Sequence, residues 1–569
     1  MQIADAFKPA CAPPESARIP PAPDSASAIT SRAVQPLILR LTIGQVAPAM
    51  NRLGWVLFGV MLVIGFGQCF MQVTPQDEGE LLVYPWLIAH GSMPYRDIWM
   101  MYPPSTYLIL AALFKAGIPG LVAERAFSLA IRVLYVLLVN RTLTGRWSRF
   151  SWLGVPITSS LLFYEVNADM RAYPWTVGLP LVLLGLVSAR KHPYPSAALF
   201  FCAGTFRYEF ALAGCVALAA QAALHLPDRQ RFRRESEAAA TLALGTIAFC
   251  LTLIVVSGGD ALHQTIFEPL LISPGRRLPL LPPHFGWWGL PLELAVLAGP
   301  PAMVVAGLVL RRPYLVGTNL AALVLVQHFL QRADWIYLLC VGAIVVPWML
   351  VSLADLLRRP EGVRLSPSIL GPERTLHGMG AMVVRGVLGY IAIAIAGWYL
   401  LLALVLAVYV SPLSPLASAS VLHDPSLLVQ SGGNAIIVRD LSEAVDVRAV
   451  VHYIQVHRRP DQRVFVAPRA LRYAIWNDTA LYYVLGLRPA SKYLEMNPGV
   501  ETRVSVQREI IRDLHSCTWI VLSRAGYWYE PNTSHVPGSP LLQRFIRGHY
   551  RRVFNDSSYQ IFKVQTSLV

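Results

Sequence analysis

Apolar runs long enough to cross a lipid bilayer recur along this sequence, and they restrict its fold more than any other feature. A spanning helix needs about 20 mostly apolar residues, fewer where protein covers its ends. Leu53–Val73, Leu121–Val139, Trp152–Tyr164, Trp175–Val187, Ala238–Val256, Leu290–Leu310, Tyr314–Leu330, Trp335–Leu353 and Met382–Val410 read as such runs. In hydrocarbon the backbone must satisfy its own hydrogen bonds, so the segments are expected to be helices packed in a bundle. Composition agrees: the 569 residues are 55% hydrophobic and 14% charged, with a mean hydropathy of +0.48, too apolar for a soluble chain of this length.

Between the runs, charge sets the direction. The loops "NRTLTGRWSR", "DRQRFRRE" and Arg358 to Arg385 are basic. Lys and Arg collect on the cytoplasmic side of short loops, so an inside N-terminus places all of them in the cytosol and the acidic loops outside. Ala197–Leu224 has cytosolic flanks at both ends and is expected to hold two short helices that turn near "FRYE". "YPPSTYLILAALFKAG" is expected to lie along the interface, its paired Pro103 and Pro104 starting the helix. The total is about 11 crossings with the C-terminus outside. Residues 1–49, rich in Pro, Ala and Ser, read as a disordered cytosolic tail without the pattern of a signal peptide. Residues 50–410 then form the membrane domain of a multi-pass protein of the inner (plasma) membrane.

Residues 411–569 are more polar. "LSEAVDVRAVVHYIQVH", "VSVQREIIRDLHS" and "SPLLQRFIRGHY" read as helices, and "RVFVA", "TWIVLS" and "YQIFKV" as strands. Alternation of this kind predicts a small extracytoplasmic α/β domain. It has no glycine-rich phosphate loop, which argues against a nucleotide site. The net charge of +15 does not indicate nucleic-acid binding, because the arginines sit in short loops between apolar runs. The seven cysteines are scattered, with neither a disulfide framework nor a metal-ligand pair, and the histidines show no metal spacing.

Charged residues gather on the side assigned to the exterior. Asp77, Glu78 and Glu80 follow the first span; "MPYRDIW" adds Arg96 and Asp97; "YEVNADMRAYPW" adds Asp169, Arg171 and Tyr173. "FRYE" adds Arg207 and Glu209, the long loop Arg276 and Arg277, and "QRADW" Arg332 and Asp334, while Arg132 lies within the second span. Charges at membrane depth cost at least a few kcal/mol each, so they line a polar cavity or pair with one another. A carboxylate among arginines suits a phosphorylated ligand, with guanidiniums on the phosphate oxygens and an acid to take a proton.

The ordered set of an acid pair after the first span, "GSMPYRDIWMMYPPSTY" and then "NADMRAY" resembles the GT-C membrane glycosyltransferases, in particular glycosyltransferase family 39 and the bacterial enzymes that glycosylate lipopolysaccharide core or lipid A. The resemblance covers most of the membrane part and the external α/β tail. It implies a polyprenyl-phosphate sugar donor, an extracytoplasmic glycan, lipid or protein acceptor, and inversion at the anomeric carbon. It implies Asp77 as base with Glu78 beside it, and it maps the family's "aR.Y" stretch onto Arg171 and Tyr173. Some members carry a Lys just before the Pro-Pro of the first loop. Here that place is Tyr102, so the phosphate contact falls to another cation, Arg96 or Arg207. Arg332 is a further phosphate candidate, and Asp97, Asp169 and Asp334 are supporting candidates. The chemistry requires no metal or other cofactor, although paired acids leave room for a metal.

Each residue also has a structural reading. Asp77 and Glu78 would be a solvated loop, Glu80 a helix cap, Asp97 the partner of Arg96, and Arg332 with Asp334 an interfacial ion pair. Arg171 would be a headgroup anchor and Arg132 a partner of Glu124 or Glu209. The rival functions are a transporter or lipid-linked saccharide flippase, for which two related halves with broken helices are expected but not seen, and a structural assembly partner.

Overall fold

The computed structural model describes residues 35–146, 171–276, 278, 280, 290–357, 420–524 and 537–565, apart from 259, 334, 474–476 and 498. Residues 1–50 form one unit by contact and residues 51–569 another. The expected crossings Trp152–Tyr164 and Met382–Val410, with Asp169 and Asp334, lie outside the described residues.

The helices of the membrane part are α1 (Gln35–Gln68), α2 (Asp77–Ala89), α3 (Ser105–Lys115), α4 (Gly120–Arg146), α5 (Pro174–Ser188), α6 (Pro193–Gly204), α7 (Tyr208–Leu224), α8 (Arg229–Ser257), α9 (Glu268–Arg276), α10 (Leu290–Val309), α11 (Pro313–Gln331) and α12 (Trp335–Leu357). Among the described residues four helices are long and apolar enough to cross a membrane: Arg229–Ser257, Leu292–Val309, Pro313–Gln331 and Tyr337–Leu356. α12 is almost wholly enclosed, whereas α8 turns Leu244, Ile247, Leu251 and Val255 outward, as a helix facing lipid does. α6 and α7 are the two short helices expected around "FRYE", and α3, starting after Pro103–Pro104, is too short to cross. α1 begins at Gln35, inside the stretch expected to be a disordered tail. In "QPLILRLTIGQVA" Pro36 falls in the first turn, where a helix tolerates it, and the apolar residues that follow are enough to continue the helix backwards.

The C-terminal region contains β1 (Leu428–Ser431), β2 (Asn434–Ile437), α13 (Leu441–His457), β3 (Val464–Pro468), α14 (Thr479–Leu485), α15 (Val504–Leu514), β4 (Trp519–Ser523), α16 (Leu541–His549), β5 (Tyr550–Asn555) and β6 (Tyr559–Val564). β1 and β2 form an antiparallel hairpin whose turn residues, Gly432 and Gly433, both have positive φ, the geometry that joins two strands tightly. The larger sheet has the order β3-β4-β6-β5, with β3 and β4 parallel and the rest antiparallel. Both faces are covered. Val464, Val466, Trp519 and Val521 pack in a core shared with α13, α14 and α2, while Phe465, Ala467, Ile520 and Leu522 pack with α15 and α16.

This α/β region sits directly on the start of α2. Ala480 N donates to Pro75 O (2.9 Å), the Thr479 hydroxyl to Gln76 O (2.7 Å), and Asn477 N to Gln76 Oε1 (2.8 Å). Gly79 makes the approach possible, because a methyl group there would overlap the Ala480 backbone and the Thr479 hydroxyl. Asn477, within the sequon "NDT", is buried and donates to Val466 O and Leu494 O, so it is committed to holding the fold.

Candidate active site

The acids of "TPQDEGE" occupy the first turn of α2, where the positive end of the helix dipole favours carboxylates. Their environments differ. Thr74 and Glu78 cap each other: Thr74 N donates to Glu78 Oε2 (3.1 Å) and Glu78 N to Thr74 Oγ1 (3.3 Å). Glu78 Oε1 accepts from Arg125 Nε at 2.6 Å, and the two side chains are only 6% and 4% exposed. Arg125 also donates to Cys69 O (2.8 Å), Met71 O (2.5 Å) and Gln72 O (3.0 Å). Glu78 is therefore half of a buried clamp that fixes the chain between α1 and α2.

Asp77, one residue earlier, points elsewhere. It pairs with Arg171 Nη1, which also reaches Thr74 Oγ1 (3.4 Å). These two side chains retain 19% and 12% exposure, so this ion pair remains open where the Glu78 clamp is closed. The Arg171 guanidinium lies 4.7 Å over the Tyr173 ring. The backbone of this segment is held by α4: Arg132 Nη2 donates to Arg171 O (3.0 Å) and Ala172 N donates to Glu124 Oε1 (2.6 Å). Glu124, Ser128 and Arg132 recur at a four-residue spacing along one face of α4, and Arg132 Nε donates to Ser128 Oγ (3.2 Å). One helix thus positions both partners, Asp77 through Arg125 and Glu78, Arg171 through Glu124 and Arg132. Arg132 meets the Arg171 carbonyl, a contact the sequence reading did not include.

Glu80 is buried and turned toward the C-terminal region. Burial, then the charges of Glu495 and Asp77, hold its carboxyl well above the usual carboxylate range, with Arg171 acting the other way. Glu495 accepts from the Tyr84 hydroxyl at 2.5 Å and from Asn497 Nδ2.

A second cluster lies beyond Tyr173. Arg207 is buried and donates to Glu209 Oε1 (2.7 Å) and Oε2 (3.3 Å), with His328 Nδ1 at 3.3 Å. Its guanidinium stands 4.8 Å from the Tyr102 ring centre and 5.8 Å from that of Trp175. His328 is stacked on Trp175 at 4.4 Å and contacts Tyr337 at 4.7 Å. Tyr102 is placed by its loop, whose Tyr95 hydroxyl donates to Tyr102 O (2.9 Å) and whose backbone is bracketed by Gln264, which accepts from Met100 N (2.9 Å) and donates to Tyr95 O (2.8 Å).

Asp77, Arg171 and Tyr173 are therefore together, and Arg207 is linked to them through the short segment from Tyr173 to Trp175. Arg96 and Asp97 pair with each other instead, at 59% and 37% exposure, and Asp97 also accepts from Met93 N (2.8 Å). Arg332 follows the end of α11, half-buried. Sequence reasoning missed Arg125, Thr74 and His328. Arg125 had a usable signal, a cation one turn inside an apolar helix next to Glu124. Among the described residues no group of three or more His, Cys, Asp and Glu side chains is arranged to hold a metal ion.

No protein-family model matches the chain, and no curated protein matches it. Among solved structures, ArnT from Cupriavidus metallidurans bound to undecaprenyl phosphate aligns over 90% of this chain and 99% of its own, with 14% identity and a TM-score of 0.51. The same protein in the apo state aligns over 91% and 99%, with 12% identity and a TM-score of 0.49. The oligosaccharyltransferase AglB from Archaeoglobus fulgidus, in complex with an inhibitory peptide and a dolichol-phosphate, aligns over 83% and 69%, with 11% identity and a TM-score of 0.37. The chain has the GT-C fold of an integral-membrane protein, like ArnT, with a C-terminal α/β region.

Proposed function

We propose that this protein is a glycosyltransferase that moves a sugar from a polyprenyl-phosphate donor to a hydroxyl acceptor outside the cytoplasmic membrane, with Asp77 as general base. The observation that carries the reading is the half-open Asp77–Arg171 pair at the head of α2, in a fold shared with a protein solved with undecaprenyl phosphate. The buried bond to Arg125 argues against Glu78 in that role. The acceptor hydroxyl attacks the anomeric carbon as Asp77 takes its proton. The bond from that carbon to the phosphate oxygen breaks with inversion, and the electron pair leaves on the phosphate. Arg171 stabilises the growing charge, and when it turns to the phosphate it releases Asp77.

Arg207, rather than the exposed Arg96, takes the place of the lysine that some GT-C enzymes keep before the Pro-Pro, because its guanidinium lies against Tyr102. Arg332 remains a phosphate-binding candidate, and Asp97, Asp169 and Asp334 supporting candidates. The topology proposed is about 11 crossings, a cytosolic N-terminus, a membrane domain at 50–410 and an external domain at 411–569. The test is glycan and lipid mass spectrometry of a deletion strain. Loss of one envelope sugar, restored by the parent gene, supports the reading. An unchanged envelope glycan profile, with lipid-linked saccharides redistributed across the membrane, would favour a flippase instead.

A further inference from the structure

The C-terminal sheet carries an arginine cluster that the transfer step does not use. Parallel strands β3 and β4 end side by side at Pro468 and Ser523, and an arginine follows each, Arg469 and Arg524. Side chains alternate along a strand. Phe465 and Ala467, like Ile520 and Leu522, face the core with α15 and α16, so Arg469 and Arg524, next in the same alternation, leave on that side. On β5, Arg552 stands across from Phe562, which packs against the same core. Hydrogen bonds fix the first two: Arg469 N donates to Ser523 O (2.9 Å), Arg524 N to Ser558 O (2.6 Å), and Arg469 Nη2 to Asp556 O (3.4 Å), while Arg552 stands further back on the same face, level with Ile520.

One carboxylate, Asp556, acts on the cluster, and its Oδ2 is buried without a hydrogen-bond partner. Among the described residues none of the three arginines forms an ion pair with a carboxylate, and Arg469 Nε is buried without an acceptor. The neighbouring Asp556 spends one oxygen on Ser558 N (2.8 Å) and Tyr559 N (2.6 Å). Burial, opposed by Asp556 and reinforced by the charges of Arg524 and Arg552, lowers the Arg469 pKa. Like charges held together in this way are relieved by an incoming anion. The place is also apt, since open α/β sheets bind ligands beyond the carboxyl ends of their parallel strands. The other face of that end packs towards α2, where Tyr559, across from Ser523, donates to Asp478 (2.8 Å) and the adjoining Asn477 is bonded to Gln76; the arginines leave on the opposite face, with α15 and α16.

We propose that Arg469, Arg524 and Arg552 form an oxyanion site that takes a phosphate group, their planar forks matching its oxygens. Resting on the transferase reading, the phosphate is that of the acceptor, held by the external region while its hydroxyl reaches Asp77. The full chain in detergent at low salt is titrated calorimetrically with inorganic pyrophosphate. Saturable binding is expected, weakened about ten- to a hundredfold by R524Q alone and further by R469Q/R524Q/R552Q, with undecaprenyl phosphate binding unchanged. Repeating the titration in phosphatidylcholine nanodiscs with and without phosphatidylglycerol separates the sources: competition by phosphatidylglycerol assigns the site to a lipid headgroup, and its absence to a soluble phosphate. Failure of the parent to bind pyrophosphate, or equal binding by the triple variant, overturns the site. Lost pyrophosphate binding with an unchanged KM for the acceptor overturns only the acceptor role.

Discussion

Replacing Arg125 by Met tests whether the buried clamp organises the head of α2. The wild-type guanidinium makes four hydrogen bonds, to Glu78 and to the carbonyls of Cys69, Met71 and Gln72, almost out of contact with water. Met fills a similar volume but leaves a buried carboxylate unpaired, which costs about 3–5 kcal/mol. The orphaned carbonyls add about 1 kcal/mol or more each where water cannot reach them. Removing the charge as well, in E78Q/R125M, should recover the larger part of the loss, because a missing pair is tolerated far better than a broken one. Denaturant unfolding of the full chain in detergent micelles gives the energies, and hydrogen exchange at residues 69–80 locates them. R125M should lose amide protection there, and the double variant should regain most of it. Stability of R125M within about 0.5 kcal/mol of the parent, or a double variant no better than the single, would refute the clamp.

Two other outcomes follow from the contacts. Gly79→Ala should push the C-terminal region off α2, destabilising the chain by about 1–3 kcal/mol and raising protease sensitivity around residues 477–480; unchanged proteolysis would deny the close approach. Asp478 is buried, its pKa is pushed up to about 7, and it caps α14 at Leu481 N (3.3 Å). The folded state therefore holds a proton that the unfolded chain releases near pH 4, so this contribution to stability is full below that pH and is lost as the pH rises through about 7. Asp478→Asn removes the titration, and its stability relative to the parent should rise by about 2–3 kcal/mol between pH 5 and pH 8; a constant difference would contradict the assignment.

Much of this was legible in the sequence because bilayers and sheets impose simple periods. The apolar runs located α4, α5, α8, α10, α11 and α12, and the basic flanks at both ends of Ala197–Leu224 separated α6 from α7. In the tail the alternating segments located β3, β4 and β6 with the helices between them. The short elements were missed: α14 is seven residues whose helicity depends on the Asp478 cap and the contact with α2, and β5 continues directly from α16 without a turn signal. In the site, Asp77 and Arg171 were readable as charges beside spans. Their different company was not, because Arg125 and Glu124 are neighbours in sequence whose side chains serve separate segments, and only the packed bundle shows which acid each cation meets.

The most direct test of the central claim is transfer by Asp77→Asn. The asparagine keeps the size and accepts from Arg171, yet it cannot take the acceptor proton. In a deletion strain complemented at matched membrane levels, and in the purified protein with the donor identified from that strain, D77N should transfer sugar about 10²–10⁴-fold more slowly than the parent while binding undecaprenyl phosphate at least as well. Transfer by D77N at the parent rate would remove Asp77 from the chemistry and contradict the account.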